Sequence, residues 1–433
     1  MCLLQELLSH ALPDTIEFEL LHLQSPPRET HPIVLKRHQT TAVNNVIKSQ
    51  HFFVLCSNKK VFYALEIYVY VTVKLSEVVD KLVFVSKADT NGYCDHNVSI
   101  KELTRVLLEY VLSIDPLHYL SKVLKLSKPQ RDYTKAITQH TTTRRALRIL
   151  KNRVSICQRY TPPTELLFSR FDRISPQWSC RLCLFTRSEP QYLFSESSQN
   201  PKKHVLPGNL LLKWWLSVVD QAITDKFDSF AHARIQIPGE ETSVIDKYLR
   251  NCKSPNWEVG DIFNGEREDL AIFRLPVLPD DPKGRFLEQL VDEGRAKKVH
   301  LTDFWTELQI QQEFRLGATV SVIGVDGNLK PFTSHPARDN EIISPGSKKL
   351  FNMIKCYITG EEYDTEEGAF DAYANITDFL RLRFNRTLTC IQGKKISKRV
   401  VSNLLPSSGL NNQPLPFEAQ TLSTTLVRKR PKK

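Results

Sequence analysis

The chain has 433 residues, 41% of them apolar, enough to bury a large core in one broad domain or two lobes. No run of about eighteen apolar residues occurs, which excludes a hydrophobic membrane-spanning helix, and the start Met1-Cys2-Leu3-Leu4-Gln5-Glu6 lacks the basic region and cleavage site of a secretory signal. The net charge of +11 is concentrated in residues 121–160, with eleven Lys/Arg against Asp132, and residues 394–433, with nine against Glu418.

Three runs rich in Val, Tyr, Phe and Ile, at 51–57, 61–73 and 81–87, predict a three-stranded meander. The polar stretch Ala88–Cys94 predicts a loop with its turn at Asn91-Gly92. A helix follows, with Ser99 and Glu102 as a capping box and Ile100, Leu103, Leu107, Tyr110 and Val111 as its buried stripe. The basic segment at about 127–163 has weak periodicity and ends at Pro162-Pro163, so it reads as a mobile insertion. Beyond it the pattern predicts a strand at 182–185 and a helix at 209–220 carrying Trp214-Trp215. Strands are predicted at 256–263 and 269–275, and helices at 283–293, 302–315, 347–357 and 365–384. The last helix has the acidic start Glu361-Glu362-Tyr363-Asp364-Thr365-Glu366-Glu367, which suits the positive end of its dipole. The sum is a mixed α/β chain, a central twisted sheet surrounded by helices, with residues 1–393 as the body and 394–433 as a flexible basic tail ending Arg428-Lys429-Arg430-Pro431-Lys432-Lys433.

Nine scattered cysteines without an export signal read as reduced thiols of a nuclear or cytosolic compartment, and the sequons at Asn97, Asn375 and Asn385 as unglycosylated. Cys180-Arg181-Leu182-Cys183 has no second pair at zinc spacing, so no metal is expected. Phosphate-binding loops, dinucleotide fingerprints and zinc-protease motifs are all missing. An anionic cofactor still has a place to bind, because the loop 88–97 leads onto the free N–H groups of the helix start at Ser99. Lys101 sits in that first turn, where a cation opposes the helix dipole.

Asp280-Asp281-Pro282-Lys283 admits two readings. Adjacent carboxylates repel, which holds one poised as a base, while Asp281 before Pro282 is also a good helix cap. Trp214 and Trp215 point about 100° apart on one helix, which suits one in the core and one along a cleft, or both packed between elements.

Several blocks carry a resemblance: Phe84–Cys94, Leu184-Phe185-Thr186-Arg187, Gln191–Phe194, Lys202-Lys203-His204, Lys213-Trp214-Trp215, Pro279–Lys283 and Ile358–Gly368. In order and composition they resemble the fungal histone H3 lysine acetyltransferases first named as regulators of Ty transposition. The resemblance runs from about residue 10 to 385 and fades at 121–165 and after 394. It implies a fold shared with CBP-type acetyltransferases, including a second, smaller lobe, and acetyl-coenzyme A as co-substrate between the lobes. Family cofactor contacts fall on Ala88, Asp89, Thr90, Asn97, Val98, Ser99, Ile100, Lys101, Phe185, His204, Val205, Leu206 and Trp214. They also fall on Glu189, where the family usually has a small residue. Asp281 matches the catalytic acid/base, with Asp280, Asp89, Trp215 and Tyr192 supporting it, and Lys283 matches a lysine that members acetylate on themselves. The resemblance implies histone H3 in H3–H4 as substrate, histone chaperones as partners and a nuclear location. The alternatives are a non-catalytic chromatin protein contacting DNA through its basic segments, and a membrane-attached protein, for which the sequence supplies no amphipathic face. The paired acids and tryptophans favour the enzyme, because nucleic-acid sites rarely concentrate carboxylates.

Overall fold

In the computed structural model the chain is described over residues 3–34, 45–74, 77–123, 178–310, 320–330 and 342–396. Met1–Lys395 group into one compact unit. The basic insertion expected at 127–163, and the tail beyond Ile396, lie outside the described residues.

Ten strands form one sheet: β1 (Glu17–Gln24), β2 (Arg28–Thr30), β3 (Asn45–Ser57), β4 (Lys60–Lys74), β5 (Glu77–Thr90), β6 (Ser179–Thr186), β7 (His232–Gln236), β8 (Trp257–Val259), β9 (Ser321–Gly327) and β10 (Thr389–Gln392). Their order is β10-β1-β3-β4-β5-β6-β9-β7-β8, with β2 paired to β3. The meander β3–β4–β5 is the antiparallel centre, and its alternation shows why. Leu65, Ile67, Val69, Val71 and Val73 of β4 enter one core, while Ala64, Tyr68 and Tyr70 face the opposite side.

Nine helices cover the two faces among the described residues: α1 (Leu3–Ser9), α2 (Ile100–Ser113), α3 (Pro116–Leu120), α4 (Gly208–Lys226), α5 (Thr242–Leu249), α6 (Pro282–Asp292), α7 (Leu301–Leu308), α8 (Lys348–Thr359) and α9 (Glu366–Phe384). Helices α2 and α4 pack on the face of Leu65 and Val69. The other face is shared by α8–α9 under one cluster and α6–α7 under a second. In the second, Phe286, Leu287 and Leu290 are each buried to within 4% exposure, a contribution of about 1.5–3 kcal/mol apiece.

The buried Lys81 of β5 closes the end of α2. Its ammonium donates to the carbonyls of Val111, Leu112 and Ile114 at 2.5–2.8 Å, the place where a helix dipole welcomes a cation.

Three expectations change. The apolar run predicted as a strand at 269–275 is a 3-10 turn, Ala271–Phe273. Ala271 and Leu275 bury against the α6–α7 cluster instead of joining the sheet. The loop predicted from Ala88 begins three residues later, because Ala88, Asp89 and Thr90 still pair with Leu65, Ala64 and Tyr63 of β4. The predicted strand at 256–263 is confined to Trp257–Val259, ended by Gly260 at φ +140.

Candidate active site

The register of three strands creates the site. Strands β5 and β6 run parallel and pair from Asp80–Ser179 to Val85–Leu184, then separate. Past that point β5 pairs only with β4, through Lys87–Thr90, while Phe185 and Thr186 of β6 stay with β9. Each strand is held by its outer neighbour, so the two splay and leave a cleft of about 630 Å³ at their carboxyl ends. Crevices at strand carboxyl ends are the usual ligand sites of open α/β sheets. A bulge in the β4–β5 ladder at Glu66/Ile67 falls at the start of the splay, opposite Ser86.

One wall is Ser86–Thr90, the facing wall Phe185–Glu189, and the back is Trp214 and Trp215 from the first turns of α4. Both tryptophans border the cleft. Their rings meet edge to face at 4.8 Å, with Trp215 at 6% exposure in the core and Trp214 more open. The division expected from their spacing thus holds in burial, while access to the cleft is shared.

Asp89 organises the third wall. It is 8% exposed and accepts the N–H groups of Thr90, Tyr192, Leu193 and Phe194 at 2.7–3.3 Å, together with the Lys203 ammonium at 2.8 Å. With five donors it anchors the 192–194 turn and the 203–206 segment. That segment lies close against the Asn91-Gly92 turn: a Cβ on Gly92, at φ +86, would stand 2.7 Å from the Lys203 nitrogen. Tyr192 donates its hydroxyl to the Arg187 carbonyl at 2.6 Å, and burial and Glu189 push its phenol up.

Of the residues singled out in sequence, the cleft brings together Ala88, Asp89, Thr90, Ile100, Phe185, Glu189, Tyr192, His204, Val205, Leu206, Trp214, Trp215 and Asp280. It does not bring in Asn97, Val98, Ser99 or Lys101, so α2 borders the cleft through Ile100 alone. The capping expected there is present, Ser99 Oγ accepting the Glu102 N–H at 3.4 Å.

The two adjacent acids part company. Asp280 is exposed, in the left-handed region at φ +56, and pairs with Lys87 at 3.0 Å at the cleft's edge. Asp281 is 2% exposed and caps α6 by accepting the Lys283 N–H at 3.0 Å. Burial first, and then Asp261, pushes its carboxyl up against the opposing pull of Lys283. The neighbour that raises it is therefore Asp261, not Asp280. Lys283 is buried too, its ammonium 2.9 Å from Asp261 and 4.0 Å from Asp281, and these carboxylates outweigh burial to push its pKa up.

Several cleft residues had no role in the sequence reading: Ser86, Lys87, Arg187, Lys203 and Arg285. Three of them hold a cleft carboxylate: Lys87 pairs with Asp280, Arg187 with Glu189 at 2.6 Å and Lys203 with Asp89. Glu189 is thus neutralised, which removes the conflict between an acid there and an anionic cofactor. Asp261 had no local signal, because it reaches Lys283 from 22 residues away. Among the described residues no group of three or more His, Cys, Asp and Glu side chains is placed to hold a metal, and no helix is long and apolar enough to cross a membrane.

The sheet, the splayed parallel pair and the aromatic cleft define a class. A family model described as the histone acetyltransferase KAT11-type domain matches residues 4–379, and the chain belongs to that family. It is similar to histone acetyltransferase RTT109 of Candida albicans, 30% identical over 347 residues, 78% of this chain and 91% of the relative. The rtt109 of Schizosaccharomyces pombe is 33% identical over 169 residues, covering 37% of this chain and 44% of that protein. In fold the chain matches the crystal structure of Rtt109 from Aspergillus fumigatus with a TM-score of 0.64 at 16% identity, over 91% of this chain and all of that one.

Proposed function

We propose that the cleft between β5 and β6 transfers acetyl from acetyl-coenzyme A to lysine side chains of histone H3, in H3–H4 delivered by histone chaperones. The observation that carries this reading is the splay: beyond Val85 and Leu184 two facing strand edges lose each other as partners. An extended cofactor arm bearing amides can pair with such edges as an added strand does. Its phosphates would meet His204 and Arg285, basic side chains along the cleft. Acetyl-coenzyme A supplies a thioester carbonyl open to attack by an amine.

The protein has two tasks. A lysine ammonium, with a pKa near 10.4 in water, must lose its proton before it attacks. The walls of Phe185, Tyr192, Trp214 and Trp215 exclude water and favour the neutral amine, while holding the aliphatic stem of the lysine. Asp280, the member of the acidic pair that lines the cleft, is the group we assign to receive the ammonium and its proton. Its left-handed backbone is tolerated by Asp better than by most residues, and the Asp281 cap one residue on fixes it in place. Asp281 is then a positioning residue, its buried carboxylate capping the start of α6 beside the cleft. Asp89 supports the site by building its wall.

Acetylation of Lys283 belongs to this proposal with a condition. Its ammonium is enclosed with Asp261 and Asp281, so the start of α6 must open before Lys283 reaches an acetyl donor. The basic segments 121–160 and 394–433 are assigned to chaperones or nucleosomal DNA, and the protein to the nucleus. Mass spectrometry of H3 incubated with acetyl-coenzyme A and the protein, with and without a chaperone, tests the reading. Acetylated H3 lysines that disappear in Asp280→Asn support it. Unmodified H3 under both conditions refutes it.

A further inference from the structure

On the sheet face opposite α2 and α4 there is a second concavity, of about 280 Å³, that among the described residues shares no lining residue with the cleft. It lies at the seam between the two clusters of that face, with Lys355 over Phe52 on one side and Tyr68 on the other. Four cations line it: Arg28, Lys48, Lys348 and Lys355.

Their arrangement opposes stability. Arg28 and Lys48 stand directly opposite each other in the antiparallel β2–β3 pair, where like charges repel. Lys348, Asn352 and Lys355 recur at i, i+4 and i+7, so α8 turns one face into the same pocket. Among the described residues, Lys355 is the one of the four with a carboxylate ion-pair partner, the buried Glu66. The Lys48 ammonium lies 4.6 Å above Tyr68 and 5.3 Å above Tyr70. Burial first, then Lys348 and Arg28, hold Lys48 down to about 8, with Glu66 pulling the other way. Lys348 is held down by burial and by Arg28. Local choices that conflict with the fold in this way mark a functional site.

We propose that this pocket binds a phosphate monoester beside the substrate end of the cleft. A compact dianion answers the charge better than a carboxylate, which brings one charge. Convergence of four cations on one small concavity suits it better than a nucleic-acid backbone, whose phosphates are spaced along a strand. Pro279 lines the pocket and Asp280 the cleft, so a ligand here sits one residue from the group assigned to the substrate lysine. The phosphate comes from a small soluble ester or from a phosphorylated side chain of a docked protein.

The test uses the full chain and the variants Arg28→Gln and Lys48→Gln, titrated calorimetrically and melted in inorganic phosphate against chloride of equal ionic strength. Phosphate is expected to raise the melting temperature of the wild type, and either variant to weaken phosphate binding about tenfold or more. Both variants are also expected to melt higher than the wild type in phosphate-free, low-salt buffer, because each removes a repulsion, and to keep basal acetyl transfer. Equal responses of wild type and variants, or none, overturn the proposal and leave an adventitious ion only. A phosphoserine peptide that binds more tightly than inorganic phosphate identifies a phosphoprotein as the source, and no gain over free phosphate identifies a small ester. Lys48-dependent binding of a DNA duplex without any binding of inorganic phosphate overturns the proposal in favour of nucleic acid.

Discussion

Asp89 and Asp281 are both acids of low exposure beside a lysine, yet one gathers five donors and the other a single N–H with an ammonium 4.0 Å away. Asp89 holds three consecutive N–H groups and Lys203 in one wall. Asp281 lacks compensating donors, so burial pushes its carboxyl up. Donor count separates a carboxylate that anchors a wall from one that caps a single helix.

The contrast breaks most visibly at Asp89. Asp89→Ala strands the Lys203 ammonium and four N–H groups, so a loss of about 3–5 kcal/mol is expected in urea denaturation, with acetyl transfer abolished alongside. A variant of wild-type stability would mean that the wall stands without its anchor. The adjacent pair gives the next largest effect. Asp280→Asn should cut acetyl transfer by roughly two orders of magnitude, the scale of a lost proton acceptor, and keep the fold, since Asn tolerates the same backbone. Asp281→Asn keeps the cap and should lose less than about tenfold. Rates measured side by side at saturating cofactor decide it, and the reverse order would move the proton acceptor to Asp281.

A smaller effect lies in pH. A carboxyl whose folded pKa is raised contributes stability that is present below the ordinary carboxylate value and lost as pH rises through the raised one. The stability of the wild type relative to Asp281→Asn should therefore fall as pH climbs through the acid range. A difference that grew in the wild type's favour over that range would place Asp281 among the ordinary paired acids.

Much of this was legible in sequence, for identifiable reasons. The meander β3–β5 was written in alternating β-branched and aromatic residues, and the caps of α2 and α6 in Ser99 and in Asp281-Pro282. The neighbours that make the site were not. β9, from residue 321, holds β6 away from β5, and Asp261 reaches Lys283 from the loop after β8. Neither pairing leaves a local pattern, because both are set by the packing of distant segments. The division of labour within Asp280-Asp281 was hidden for a related reason: the pattern marks the cap, but only the left-handed turn at Asp280 shows which carboxylate meets the cleft.

Amide hydrogen exchange with and without acetyl-coenzyme A tests the central claim most directly. If the splayed edges hold the cofactor, exchange should slow together at Ser86–Thr90 and Phe185–Glu189, with little change at β7 and β8. Protection confined to other elements, with both edges exchanging as before, would contradict the account.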